Sequence, residues 1–260
     1  MYLTVDIGNS VISIALFNAG EIVDVFNRET PKALKETAQA NFDTVRPIIN
    51  EFKKQYAHST FKKVLISSVV PKLNYPMSFV IKEILGVDAE IVLPNPKTSV
   101  RLDVDVPESV GSDIVACAVG AYKFGKGPFI VIDLGTANKY FYVDDKHVFH
   151  GVAISPGVEV SFKGLVKNAA QLFNVRLTLP AKVLGKNTPD SLNSGLLYGL
   201  LGEMNGFINL IKKEVGDNPI VLLTGGNARY IKGAVDESVN YVPHLVHYGL
   251  YDMLVNGNEK

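Results

Sequence analysis

The chain has 260 residues, 47% of them apolar, with 26 basic and 26 acidic side chains and a formal net charge of zero. That length and apolar content supply one large or two modest cores, and a neutral chain without a basic stripe has no field to draw it to nucleic acid or an anionic membrane. Its apolar runs are strand-length, well short of a membrane span, and its single cysteine, Cys117, excludes an internal disulfide framework. The chain opens on a strand without a basic leader. The expectation is a soluble cytoplasmic protein without nucleic-acid or membrane partners.

MYLTVDIGNS, Met1 to Ser10, is an apolar strand that delivers Asp6 and Gly8 into a turn followed by Asn9 and Ser10. Glycine lets the backbone approach a bulky anion, and turn N–H groups with small polar side chains line an anion-binding concavity. A carboxylate there calls for a bridging cation, as Mg²⁺ bridges carboxylates and nucleotide phosphates. Two further β-rich runs follow, joined by the turn Asn18-Ala19-Gly20. A helical region spans roughly 32 to 56, with Pro47 expected to break or kink it. Lys62 to Pro71 reads as a buried strand, LNYPMSFVIKEILG as a helix capped by Gly86, and AEIVLPNP as a strand. Arg101 to Asp113 is an acidic loop, in which Asp103, Asp105 and Glu108 read as solvated. IVACAVGAYKFG is a helix in which Cys117 reads as a buried structural thiol. Gly125-Lys126-Gly127-Pro128 marks the expected boundary between residues 1–127 and 128–260.

The second half repeats the first. FIVIDLGTAN, Phe129 to Asn138, is again an apolar strand leading to Asp133, Gly135 and Thr136, and two more β-rich runs follow. Ser155 to Phe173 reads as a turn and an amphipathic helix, and RLTLP as extended. A long helix then carries Gly195, Gly199, Gly202 and Gly206. Glycine costs about 1 kcal/mol against alanine inside a helix, so this row points to close packing against another backbone. NPIVLLTGGNARYI is a strand running into Gly225-Gly226, and HLVHYGLYDMLV a short helix whose His244 and His247 read as surface residues. The expected fold is therefore α/β, a duplicated β-meander-plus-helix unit with a carboxylate and a glycine turn in each half facing one cleft.

Three strand-to-glycine turns, at Asp6, Asp133 and Thr224, follow the layout of the actin/hexokinase/Hsp70-like ATPase superfamily. DIGNS, VPESVGSD, DLGTA, AISPG, GKNT followed by NSGLLYG, and TGGNARY resemble, in order and over essentially the full length, the motifs of the type III pantothenate kinase family. The resemblance implies two ribonuclease-H-like (actin-like ATPase) domains with mixed β-sheets flanked by helices, a homodimer, and ATP-dependent phosphorylation of pantothenate to 4′-phosphopantothenate. It implies that Asp6, Gly8, Asn9 and Ser10 meet the ATP phosphates and Mg²⁺. Gly135 and Thr136 touch ATP, Gly225 and Gly226 lean on the adenosine, and Asp133 binds a monovalent cation, K⁺ or NH₄⁺. Gly111, Ser112 and Asp113 lie at pantothenate with Asp113 as catalytic base, and Thr188 contacts the pantothenate end.

This chain departs from the family pattern at four places. Ile114 stands where the family has an arginine, the natural partner of a carboxylate. Val104 replaces a tyrosine, Asn138-Lys139 replaces Thr-Thr, and His150 replaces the first glycine of the GGxI turn. These changes leave two alternatives: a kinase for another small alcohol, and a non-catalytic nucleotide- or pantothenate-sensing regulatory protein. Lys139 brings a fixed positive charge to the second turn, where it would stand in for the monovalent cation or for the missing arginine, or point to solvent.

Overall fold

The structure, a computed structural model, describes residues 1–37, 41–93 and 96–257. It divides into two compact units, Met1–Phe124 together with the segment from Leu245 onward, and Gly125–His244.

The first unit carries β1 (Tyr2–Ile7), β2 (Val11–Asn18), β3 (Glu21–Glu29), α1 (Phe42–Gln55), β4 (Lys63–Ser68), α2 (Asn74–Leu85), β5 (Ala89–Ile91), the two-residue β6 (Arg101–Leu102) and α3 (Ser112–Ala121). Its sheet runs β3-β2-β1-β4-β5. β1 is antiparallel to β2 and parallel to β4. Side chains alternate across a strand. Leu3, Val5 and Ile7 therefore share one face and join Val45, Ile49 and Phe52 of α1 and Met77, Val80 and Ile81 of α2 in the main core. Tyr2, Thr4 and Asp6 fall on the other face. There Tyr2 and Leu65 pack with Ala116 of α3 and with Leu250 and Leu254 of the C-terminal helix.

The second unit carries β7 (Phe129–Leu134), β8 (Ala137–Val143), β9 (Val148–Pro156), α4 (Val158–Asn168), α5 (Thr188–Val215), β10 (Ile220–Thr224) and β11 (Val239–Tyr241). Its strands run β11-β10-β7-β8-β9. Ile130, Ile132, Leu134 and Tyr140 pack on Leu197, Leu200, Leu201 and Met204 of α5. Alternation turns Asp133 and Lys139 to the opposite face. The helix α5 starts at Asn187, whose side chain accepts from the Asp190 N–H at 2.9 Å. It ends at Gly216 in the left-handed conformation. The NSGLLYG segment has a structural role on this helix. Asn193 accepts from the Thr178 N–H and donates to the Arg176 carbonyl, both at 3.1 Å. Ser194 donates to the Val183 carbonyl and Tyr198 to that of Pro180. Three side chains thus clamp the extended 176–183 segment, satisfying backbone groups that have no strand partner.

Several boundaries differ from the sequence expectation. Helix α1 begins at Phe42, not near 32, and runs through Pro47 unbroken. The expected helix crosses 38–40, and the strand expected from AEIVLPNP reaches 94–95; both stretches lie outside the described residues. Pro47 removes one intrahelical bond, but Val45, Ile48, Ile49 and Phe52 are buried around it and hold the helix to the sheet. Helix α4 stops at Asn168 rather than Phe173.

The last helix, α6 (Leu245–Asn256), belongs with the first unit and not with 128–260. The cause is a backbone-to-backbone crossing with α3. A Cβ on Gly120 would come within 2.7 Å of the Leu245 carbonyl oxygen, and one on Gly249 would collide with that of Ala116. His247 is likewise not a surface residue; it is 1% exposed. Its Nδ1 lies 2.8 Å from Thr4 Oγ1 and its Nε2 2.9 Å from Ser13 Oγ, which ties α6 to β1, the strand that carries Asp6, and to its neighbour β2. His247→Leu strips the buried Thr4 hydroxyl and the half-buried Ser13 hydroxyl of a partner, at a cost of about 1–3 kcal/mol for a buried group left unsatisfied. The expected result is a lower urea midpoint with an unchanged m-value.

Candidate active site

In the first unit the candidate residues gather at the C-terminal edge of the parallel strands, where open α/β sheets bind ligands. The Gly8 N–H closes its turn on the Val11 carbonyl at 3.0 Å. A Cβ on Gly8 would press on that same oxygen at 3.1 Å, so a side chain would force the turn open. Thr30 fixes the turn from behind, donating from Oγ1 to the Gly8 carbonyl at 2.6 Å and from its N–H to the Ser10 carbonyl at 3.0 Å. Asn9 and Ser10 stay exposed.

Asp6 pairs in register with Ser67 of β4. Ser67 Oγ lies 2.9 Å from Ser112 Oγ, and Ser112 Oγ also accepts the Ser68 N–H at 3.1 Å. The Ser112 hydroxyl is thus engaged in fastening the start of α3 to the end of β4. Asp113 follows it in the first helical turn, on the same sheet face as Asp6. Its Oδ1 accepts the Ile114 N–H at 2.9 Å. Gly111 is the N-cap, and a Cβ there would meet Asp113 Oδ1 at 2.5 Å. The glycine of VGSD is what lets the carboxylate fold back over the helix end. Ile114 is 5% exposed, so the position where the family has an arginine is buried here.

In the second unit the phosphate-type turn is gripped by two other glycine turns. The Gly157 N–H bonds the Thr136 carbonyl at 3.0 Å, and Asn227 Nδ2 donates to the Gly135 carbonyl at 2.8 Å. Gly157 and Gly225 each lie where a Cβ would strike the backbone of that turn or of Leu134. Asp133 and Lys139 are cross-strand partners, with Nζ 2.6 Å from Oδ2 and each side chain 16% exposed. Lys139 is therefore not a solvated strand residue. His150 turns to Asp144 of its own hairpin, 2.9 Å away.

Two features of this unit lay outside the sequence reasoning. Glu203 of α5 accepts from Tyr140 OH at 2.8 Å, from Ser155 Oγ, and from Asn138 Nδ2 at 3.5 Å. Burial, and then the Glu203 carboxylate, push the Tyr140 phenol far above its usual range, so it stays a donor. A lone acid on the apolar face of α5 was the available signal. Glu203→Leu orphans these donors and is expected to destabilise by about 1–3 kcal/mol per unsatisfied group, whereas Glu203→Gln keeps an acceptor oxygen; urea denaturation separates the two. Beyond the third turn, Arg229, Tyr230, Arg176 and Thr178 line an open groove of about 470 Å³. Thr188 and Lys186 line another of about 480 Å³ at the start of α5.

Among the described residues no three His, Cys, Asp or Glu side chains group into an all-protein metal cage. Mg²⁺ is commonly held by one or two carboxylates with the remaining positions filled by phosphates and water. Asp6 is an oxygen donor of that kind, beside the Gly8 turn. No helix among the described residues is long and apolar enough to cross a membrane.

The fold is that of the actin-like ATPases and sugar kinases. Over 96% of this chain it matches, at 14% identity and a TM-score of 0.55, a Sinorhizobium meliloti protein described as a 2-dehydro-3-deoxygalactonokinase, covering 95% of it. It also matches a Campylobacter jejuni protein described as a Baf family transcriptional activator, at 18% identity and a TM-score of 0.56, covering 96% of each chain. Within that fold, the chain belongs to the type III pantothenate kinase family. The family model matches residues 2–210, and a relative from Exiguobacterium sp. named type III pantothenate kinase is 30% identical over the whole of both chains.

Proposed function

We propose that this protein transfers the γ-phosphoryl group of ATP to the hydroxyl of pantothenate, yielding 4′-phosphopantothenate and ADP, the first step of coenzyme A synthesis. The observation that carries the proposal is the edge of the first sheet. Asp6 lies there in register with Ser67, whose hydroxyl bonds that of Ser112, the residue before Asp113, in a chain of this family. Phosphoryl transfer is mostly positioning and charge neutralisation, and two carboxylates at one strand edge divide those tasks.

Asp6 would hold Mg²⁺, with Gly8, Asn9 and Ser10 presented to the phosphates. When bound, Mg²⁺ neutralises charge on the β- and γ-phosphate oxygens. Gly135 and Thr136 add backbone and hydroxyl contacts to ATP, and Gly225 and Gly226 support its adenosine. Asp113, steadied by the Ile114 N–H, orients the pantothenate hydroxyl and takes its proton, while Gly111 keeps its carboxylate free of a blocking side chain. Ser112 acts by holding α3. Thr188 contacts pantothenate. Lys186, beside it at the N-terminus of the 28-residue α5, supports anion recognition there.

The protein works in the cytoplasm as a homodimer. What supports the dimer is the glycine row of α5. Among the described residues, and apart from the helix's own neighbouring turns, no atom lies within 4 Å of a Cβ built on Gly195, Gly199, Gly202 or Gly206, and Leu210 on the same helix is 63% exposed. Sedimentation equilibrium is expected to give twice the chain mass; a monomer at micromolar concentration contradicts the assignment.

ADP release measured with and without pantothenate, in Mg²⁺ buffer, tests the proposed activity. Turnover is expected only when both are present, and EDTA abolishes it. The burial of Ile114 favours one second reading, a kinase for an alcohol that lacks a carboxylate. ADP release with such an acceptor and none with pantothenate identifies it. Nucleotide binding without turnover on any acceptor identifies a sensor instead.

A further inference from the structure

The family resemblance implies a monovalent cation at Asp133, and the residues around Asp133 do not fit one. The Oδ2 oxygen lies 2.6 Å from Lys139 Nζ. The Oδ1 oxygen faces Gly225, where a Cβ would come within 2.5 Å of it. A K⁺ ion would have to displace the ammonium or accept it as a like-charged neighbour, and like charges at that range repel.

We infer that the Lys139 ammonium is a built-in replacement for the monovalent cation at the second phosphate turn, so that this protein needs neither K⁺ nor NH₄⁺. Three observations carry this. Lys139 and Asp133 sit opposite one another in the β7–β8 ladder, so the register of the hairpin, rather than a flexible reach, brings the charge to the carboxylate. Both side chains are largely withdrawn from water, which preserves the attraction against salt. And the charged group of lysine is itself a substituted ammonium with three donors, chemically the tethered form of NH₄⁺. Covalent tethering supplies it at a high effective concentration, and no ion need be recruited from solution. Asp133, on the strand that leads into the Gly135–Thr136 turn, is then a counter-charge for Lys139.

This inference rests on the kinase reading above, and its test is chosen so that the two fail separately. The full-length protein is assayed for pantothenate-dependent ADP release in choline chloride free of K⁺ and NH₄⁺, then in KCl and NH₄Cl at the same ionic strength. Binding of a non-hydrolysable ATP analogue with Mg²⁺ is measured by calorimetry in the same three salts. The wild type is expected to turn over, and to bind the analogue, equally in all three. Lys139→Ala is expected to lose about 10²-fold in choline, as when one preorganised charge is removed from such a site, and to recover in part with K⁺ or NH₄⁺. Wild-type turnover or analogue binding that depends on K⁺ or NH₄⁺ overturns the inference, as does full cation-free activity in folded Lys139→Ala. If pantothenate supports no turnover, the calorimetric comparison still decides the role of Lys139 and the kinase reading alone falls. If the variant fails to fold, the wild-type salt comparison decides it.

Discussion

Asp113→Asn is expected to lower kcat by about 10²- to 10⁴-fold, the range for losing a positioned general base, while leaving the affinity for ATP unchanged. The amide keeps an oxygen that accepts the Ile114 N–H, now made by Asp113 Oδ1 at 2.9 Å, so helix α3 keeps its start and Ser112 its bonds to β4. What disappears is the capacity to take the proton of the acceptor hydroxyl. Steady-state ADP release on purified, folded variant measures it. An equal loss of ATP affinity and kcat would instead make Asp113 part of the nucleotide site.

Gly225→Ala should have the largest structural effect at the site. Gly225 has φ +90°, and a Cβ there would strike the Leu134 carbonyl and stand 2.5 Å from Asp133 Oδ1. With ψ 154° this backbone conformation is essentially reserved for glycine and costs about 1–3 kcal/mol for a residue with a side chain, and overpacking adds about 1–3 kcal/mol. A loss of about 2–6 kcal/mol is expected, with weakened ATP binding because the Gly135–Thr136 turn must shift. Gly226→Ala is the control. A Cβ there meets only Arg229 Nη1, at 3.9 Å, so the change should stay within about 0.5 kcal/mol. Chemical denaturation with ATP titration compares the pair, and equal losses would show that the steric account of the third turn is wrong.

Both meanders were legible in the sequence because period-two apolar runs ending in Asp-x-Gly are strong local signals. The observed strands β1 to β3 and β7 to β9 fall where those runs lie. The Asp133–Lys139 pairing was within reach, since residues on either side of a short hairpin turn fall opposite one another, but the side chain's choice between carboxylate and solvent needed coordinates. The return of α6 to the first unit was not legible. It depends on Gly120 and Gly249 letting two backbones touch, and a glycine in a helix does not announce its partner. His247 escaped for the same reason, because its partners Thr4 and Ser13 lie more than 230 residues away in the chain. The clamp formed by Asn193, Ser194 and Tyr198 shows the opposite case, a motif quoted for its family resemblance whose side chains hold a strandless segment in place.

The most direct measurement is mass spectrometry of the products formed by the full-length protein from Mg-ATP and pantothenate. One phosphate added to pantothenate, in a yield matching the ADP released, is the predicted result. ATP that binds while pantothenate is recovered unchanged would contradict the account.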